Sequence, residues 1–146
     1  MRCIAIDFRK AFDRVSHRRL LEIAQQEFKL SSGLLKWLKS YLSDCKQRVI
    51  FGGNNFTDWI PCTSGVPQSS CLRSILFCML LKNYNPLSYP TKAILYADDL
   101  TLLHHITNNH DESQSELNYL LKLCTTNSMT INRAKCCFIT FSYNKT

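Results

Sequence analysis

With 146 residues, 45% of them hydrophobic, the chain is one domain's worth and apolar enough for a packed core, which excludes a multidomain enzyme within this stretch. Eighteen Lys and Arg against 11 Asp and Glu give a net charge of +7, which suits a polyanionic partner, although a generic basic surface has the same composition. The apolar run before Asp7 is too short for a secretory signal and no run is long enough to span a bilayer, so a soluble, intracellular protein of nucleus or cytoplasm is expected, not a secreted one and not one bound to a membrane.

In chain order, residues 1–6 form a short apolar run suited to a buried strand, and Asp7 ends it. Ser16 is a predicted N-cap for a helix reaching Phe28. A second helix is predicted over 33–42, with Leu34, Trp37, Leu38 and Tyr41 on one face. Residues 47–51 and 56–61 read as a hairpin around Gly52-Gly53-Asn54-Asn55. An apolar helix over 72–81 ends in a turn segment over 83–90. Two short strands then flank Asp98 and Asp99, a polar loop covers 107–113, a helix runs over 116–126, and a closing strand fits 136–142. The eight cysteines lack the paired short spacing of a zinc site and read as mostly buried, reduced, small apolar residues, while His17, His104, His105 and His110 form no metal-ligand pattern. There is no repeat, low-complexity tract or domain linker.

Tyr96-Ala97-Asp98-Asp99 carries the most information. Two adjacent carboxylates sit between the apolar runs 93–95 and 100–103, and neighbouring side chains on a strand point to opposite faces, so they address one site only if the chain turns there. Carboxylates held that close repel each other unless a divalent cation is bound. Taken alone, the pair is more often a solvated turn. Asp7, at the end of a buried strand, weakens that simpler reading.

Asp7-Phe8-Arg9-Lys10-Ala11-Phe12-Asp13, with Val15, His17 and Leu20-Leu21, resembles the first palm motif of reverse transcriptases (RNA-directed DNA polymerases) from non-LTR retrotransposons, including jockey-like elements. Ser64-Gly65-Val66-Pro67-Gln68 resembles their second motif, Tyr96-Ala97-Asp98-Asp99 the third, and Asn127-Ser128-Met129-Thr130-Ile131-Asn132 with Lys135 the fourth. Four motifs in order cover nearly the whole chain. The resemblance implies a partial reverse transcriptase domain over 1–146, the palm with motifs A to D. Its fold class would be α+β, an antiparallel sheet with helices packed on one face, with fingers and thumb largely missing. It also implies nucleotidyl transfer to a primer 3′-hydroxyl with two Mg²⁺ ions, Mn²⁺ being able to substitute. The partners would be an RNA template, a DNA primer and deoxynucleoside triphosphates; the oligomeric state stays open.

By the same resemblance, Asp7 and Asp98 bridge both ions and Asp99 assists. Phe12 would crowd a ribose 2′-hydroxyl, Phe8 would offer a backbone amide to the triphosphate, Gln68 would contact the incoming nucleotide, and Lys135 would be the general acid for pyrophosphate. Each has an ordinary alternative: a core Phe for Phe12 and Phe8, a turn residue for Gln68, a solvated lysine for Lys135. Lys36, Lys39, Lys46, Arg48 and Arg73 would lie near the nucleic-acid groove. Ser69 stands where the family has glycine, and the family's proline near Ser74 and Asn-Asp pair near Asn83-Tyr84 are absent. These departures and the short chain lead to the expectation of a palm that is incomplete or inactive alone. The alternative is a non-catalytic nucleic-acid-binding remnant of a decayed mobile element. A phosphoacceptor receiver domain is disfavoured, because its acid pair would follow the first strand.

Overall fold

The computed structural model describes residues 1–53, 55–67, 70–89, 91–106 and 111–142. In chain order these form β1 (Arg2–Ile6), α1 (His17–Gln26), α2 (Ser32–Leu42), β2 (Lys46–Gln47), β3 (Ile60–Pro61), α3 (Leu72–Leu80), β4 (Lys92–Tyr96), β5 (Asp99–His104), α4 (Ser113–Thr126) and β6 (Cys137–Thr140). Four strands make an antiparallel sheet in the order β4-β5-β1-β6, and β2 and β3 pair as a separate ribbon.

Alternation along the central strands decides which face is covered. Ile4 and Ile6 on β1 and Leu100, Leu102 and His104 on β5 are buried, whereas Cys3, Ala5, Thr101 and Leu103, which point the other way, are only partly so. The helices pack on the buried face, where Leu20, Phe77, Leu80, Leu102 and Leu120 are almost wholly excluded from water. This is an α+β layer, an antiparallel sheet with helices packed on one face, as expected. Asn127 fastens the helical layer: its side-chain amide donates to Leu80 O (2.6 Å), and its Oδ1 accepts from Arg19 Nε (2.8 Å).

Ser16 and Ser31 accept from the amides of Arg19 and Leu34 and so fix the starts of α1 and α2. The apolar face of α2 is covered only in part, at Leu38 and Leu42, while Leu34 and Trp37 on it are 45% and 50% exposed. One expectation needs correction. The cysteines are all free, but only Cys124 is buried and Cys71 and Cys137 are exposed. Burial pushes the Cys124 thiol up to about 12 and also raises that of Cys78. The 46–61 hairpin is paired at its base and at Ile50↔Phe56, with Thr57 N donating to Val49 O and Phe51 N to Asn55 O; Gly52 and Gly53 take positive φ at its tip, and Asn54 lies outside the described residues.

Candidate nucleotidyl-transfer site

The sheet register brings the acids to one end of the fold. Ile6 pairs with Leu100, so Asp7, which follows Ile6, and Asp99, which precedes Leu100, lie at the same edge. Tyr96 pairs with Asp99, leaving Ala97 and Asp98 as a two-residue hairpin loop. Ala97 adopts φ +54, the left-handed turn conformation that such short connections demand. Its carbonyl accepts from Cys78 Sγ of α3 at 3.8 Å, which ties the acidic turn to the helical layer.

Asp7 and Asp98 line one cavity of about 410 Å³, together with Phe8, Arg9, Lys10, Phe12, Asp13, Arg73, Asn132 and Lys135. Three carboxylates and four cationic side chains therefore share its wall. Asp99 does not line it, and Gln68, with Ser69, lies outside the described residues. Asp7 is held through its backbone. Its carbonyl accepts from Asn132 N at 2.8 Å, and its amide meets Cys136 Sγ at 3.5 Å. Thr130 O accepts from Arg9 N at 2.8 Å, so the 130–132 segment clamps both sides of Phe8, which bridges to Ile131.

The two candidate phenylalanines differ. Phe8 is 5% exposed, with its ring edge-on to Phe77 at 5.4 Å, so its side chain belongs to the core and only its backbone is left to serve a ligand. Phe12 also packs on Phe77, at 5.5 Å, but reaches the cavity wall, where the Arg73 guanidinium lies 4.1 Å from its ring centroid. In the sequence Arg73 stands out only as one basic residue among several. No periodicity links α3 to Phe12, so the stacking has no signal there.

The second motif segment is locked to the first. Gly65 N donates to Val15 O (2.8 Å), Val66 N to Phe12 O (2.9 Å) and Ser64 Oγ to Asp13 O (3.1 Å), while His17 Nε2 lies 2.6 Å from Gly65 O. Gly65 has φ +89, and a Cβ there would stand 2.9 Å from Asp13 O, so glycine is required twice over.

Oxygen donors on Asp7 and Asp98 facing one cavity fit hard divalent cations such as Mg²⁺. Among the described residues no three His, Cys, Asp or Glu side chains converge on a single metal position.

A sheet end carrying acids from two strands, backed by helices and fronted by a basic cavity, is the architecture of a polymerase palm. The chain belongs to the family "Reverse transcriptase (RNA-dependent DNA polymerase)", whose profile matches residues 2–145. It is 30% identical over 151 residues to the "Retrovirus-related Pol polyprotein from type-1 retrotransposable element R2" of Popillia japonica, covering 93% of this chain and 24% of that protein. It is also 30% identical over 127 residues to the "Probable RNA-directed DNA polymerase from transposon BS" of Drosophila melanogaster, covering 82% of this chain and 14% of that one. The chain thus spans a quarter or less of these relatives. In fold it is similar to telomerase from Candida tropicalis in complex with a TWJ fragment of telomeric RNA, with a TM-score of 0.72 at 17% identity over 94% of this chain and 26% of that one. Apo telomerase from the same source, truncated from its C-terminal domain, gives 0.69 at 15% over 99% and 31%. Among the described residues no helix is long and apolar enough to cross a membrane.

Proposed function

We propose that the acid-lined cavity is the site of RNA-templated DNA synthesis, in which a DNA primer 3′-hydroxyl attacks a deoxynucleoside triphosphate. The observation that carries this reading is the presence of Asp7 and Asp98, from distant parts of the sequence, with Lys135 in one cavity. Asp7 and Asp98 would hold two Mg²⁺ ions, or Mn²⁺ in their place, with Asp99 assisting from the edge of the turn. When bound, the ions lower the pKa of the 3′-hydroxyl and neutralise the charge that develops on the leaving pyrophosphate.

The chain's own residues supply the rest. Lys135 Nζ gives its proton to the leaving pyrophosphate oxygen, and Arg9, Lys10 and Arg73 add positive charge where the triphosphate enters. The Phe8 amide, which donates to no backbone acceptor among the described residues, is available to a phosphate oxygen. Phe12, wedged between Phe77 and Arg73, resists displacement and so excludes a 2′-hydroxyl. Gln68, two residues past Val66, would contact the incoming nucleotide.

Primer extension on an RNA template with Mg²⁺ tests this reading. Asp7→Ala and Asp98→Ala should each abolish incorporation, whereas Asp99→Ala should leave a trace. Incorporation retained by Asp98→Ala would refute the assignment.

A further inference from the structure

The ribbon between α2 and the Ser64-Gly65 segment holds a second cationic arrangement, outside the acid-lined cavity. The guanidinium carbon of Arg48 lies 4.4 Å from the Phe56 ring centroid and 4.6 Å from that of Trp59, so one cation is set against two aromatic rings. Phe56 is 56% exposed and Trp59 57%, so both rings keep free surface. The ribbon is two-stranded, paired at Lys46↔Pro61, Gln47↔Ile60 and Ile50↔Phe56 and crossed by Thr57 N to Val49 O (2.9 Å) and Phe51 N to Asn55 O (3.0 Å). Among the described residues Arg48 takes part in no ion pair, so its N–H donors are not spent on a carboxylate.

The helix leading into the ribbon repeats the pattern. Trp37 stacks on Tyr41 with ring centroids 5.7 Å apart and planes 17° from parallel, between the exposed Lys36 and Lys39. From 36 to 61 four cationic residues, Lys36, Lys39, Lys46 and Arg48, face two acids, Asp44 and Asp58.

Flat exposed rings call for a partner with flat faces, and unpaired guanidinium donors call for phosphate or base acceptors. Unpaired nucleotides present both, whereas a duplex hides its base faces inside the stack. Aromatic rings and arginine serve protein interfaces as well, but four cations against two acids over 36–61 favour a polyanion as the occupant. We propose that the 46–61 ribbon and the Trp37 face of α2 form a holding surface for single-stranded RNA, separate from the acid-lined cavity and needing neither metal ion nor nucleotide. Bases stack on Trp59 and Phe56, and Arg48, held in place against those rings, donates to the backbone.

The test is fluorescence anisotropy of a labelled oligouridylate of about a dozen nucleotides, a length within the usual site sizes, added to the whole chain in EDTA. Arg48→Ala and Trp59→Ala should each weaken binding by about tenfold, the loss expected for one stacking or guanidinium contact. Asp98→Ala should bind like the parent chain. In a Trp37→Phe background, RNA should quench the emission of Trp59, a readout that a loss of stability alone would not produce. Unchanged affinity of both ribbon variants, or absence of quenching, overturns the proposal. So does equal competition by duplex RNA. A ribbon that instead pairs two copies of the chain would show a dimer in sedimentation, dispersed by Trp59→Ala, and that result also overturns it. Because no chemistry is required, failure of primer extension leaves this outcome untouched.

Discussion

Gly65 shows how one position can set the geometry of a site. Its φ of +89, and the 2.9 Å that would separate a Cβ at this position from Asp13 O, mean that Gly65→Ala must push the second motif segment off the first. Backbone strain of this kind costs about 1–3 kcal/mol, and the urea midpoint should fall accordingly with an unchanged m-value. A midpoint equal to that of the parent chain would show that the two segments can separate freely. Phe12 illustrates the opposite situation, a side chain whose position is set by its neighbours. With Phe77 on one side and Arg73 on the other, the ring is held against the cavity wall. Phe12→Ala should therefore raise ribonucleotide incorporation relative to deoxynucleotide incorporation, and Arg73→Ala should do so to a smaller extent by letting the ring move. Competition between the two nucleotide classes in a primer-extension assay reads both ratios; an unchanged ratio for Phe12→Ala removes it from the site.

At the scale of elements, α4 is docked by buried polar groups as well as by Leu120. Glu116 is 1% exposed and accepts from Ser88 N (2.7 Å), Ser88 Oγ (3.1 Å) and Tyr84 Oη (3.2 Å), which fixes the turn after α3 against the helix. Burial, with the Glu116 charge beside it, pushes the Tyr84 hydroxyl far above its usual range. Glu116→Ala leaves the buried Tyr84 hydroxyl without its acceptor, at roughly 1–3 kcal/mol, and releases the half-buried Ser88, whose hydroxyl keeps Thr91 as a partner, so thermal unfolding should register the loss. The start of the same helix depends on pH. Asp111 accepts from Ser113 and pairs with Arg2 of β1, and the Ser113 bond, then Arg2, holds its carboxyl below the usual aspartate range. A carboxylate whose pKa is lowered by folding stabilises the folded state above its unfolded pKa, and that contribution disappears as pH falls through the folded value. Stability should thus drop below about pH 4, and Asp111→Asn should remove that part of the acid dependence. The effect is modest, since Asp111 is partly exposed and screened.

Across the whole molecule, what the sequence discloses depends on whether the signal is local. A buried strand closed by Asp7, a serine cap at Ser16, and a carboxylate pair between two apolar runs are each visible in a few residues, and each corresponds to an observed element. Which side of α2 is covered is not visible, because periodicity marks an apolar stripe without saying what lies on it. Neither is the cavity's Arg73–Phe12 stack, nor the hold of Cys136 and Asn132 on the backbone of Asp7, since these contacts join segments distant in sequence. The start of α4 at Ser113, three residues before Glu116, reflects the Ser113 bond to Asp111. Charge, by contrast, is a property of the whole chain and makes a whole-molecule prediction. With a net charge of +7 and Arg9, Lys10, Arg73 and Lys135 on one cavity wall, an RNA–DNA hybrid laid across the palm should release counterions as it binds. Its association constant should fall steeply between about 50 and 200 mM salt, and Arg9→Ala, if it removes one phosphate contact, should lower the log–log slope by about one unit. Binding titrations at several salt concentrations measure both quantities. An affinity indifferent to salt would mean that the hybrid does not lie on the basic wall, and the acids of the cavity would then need another way to meet a primer terminus.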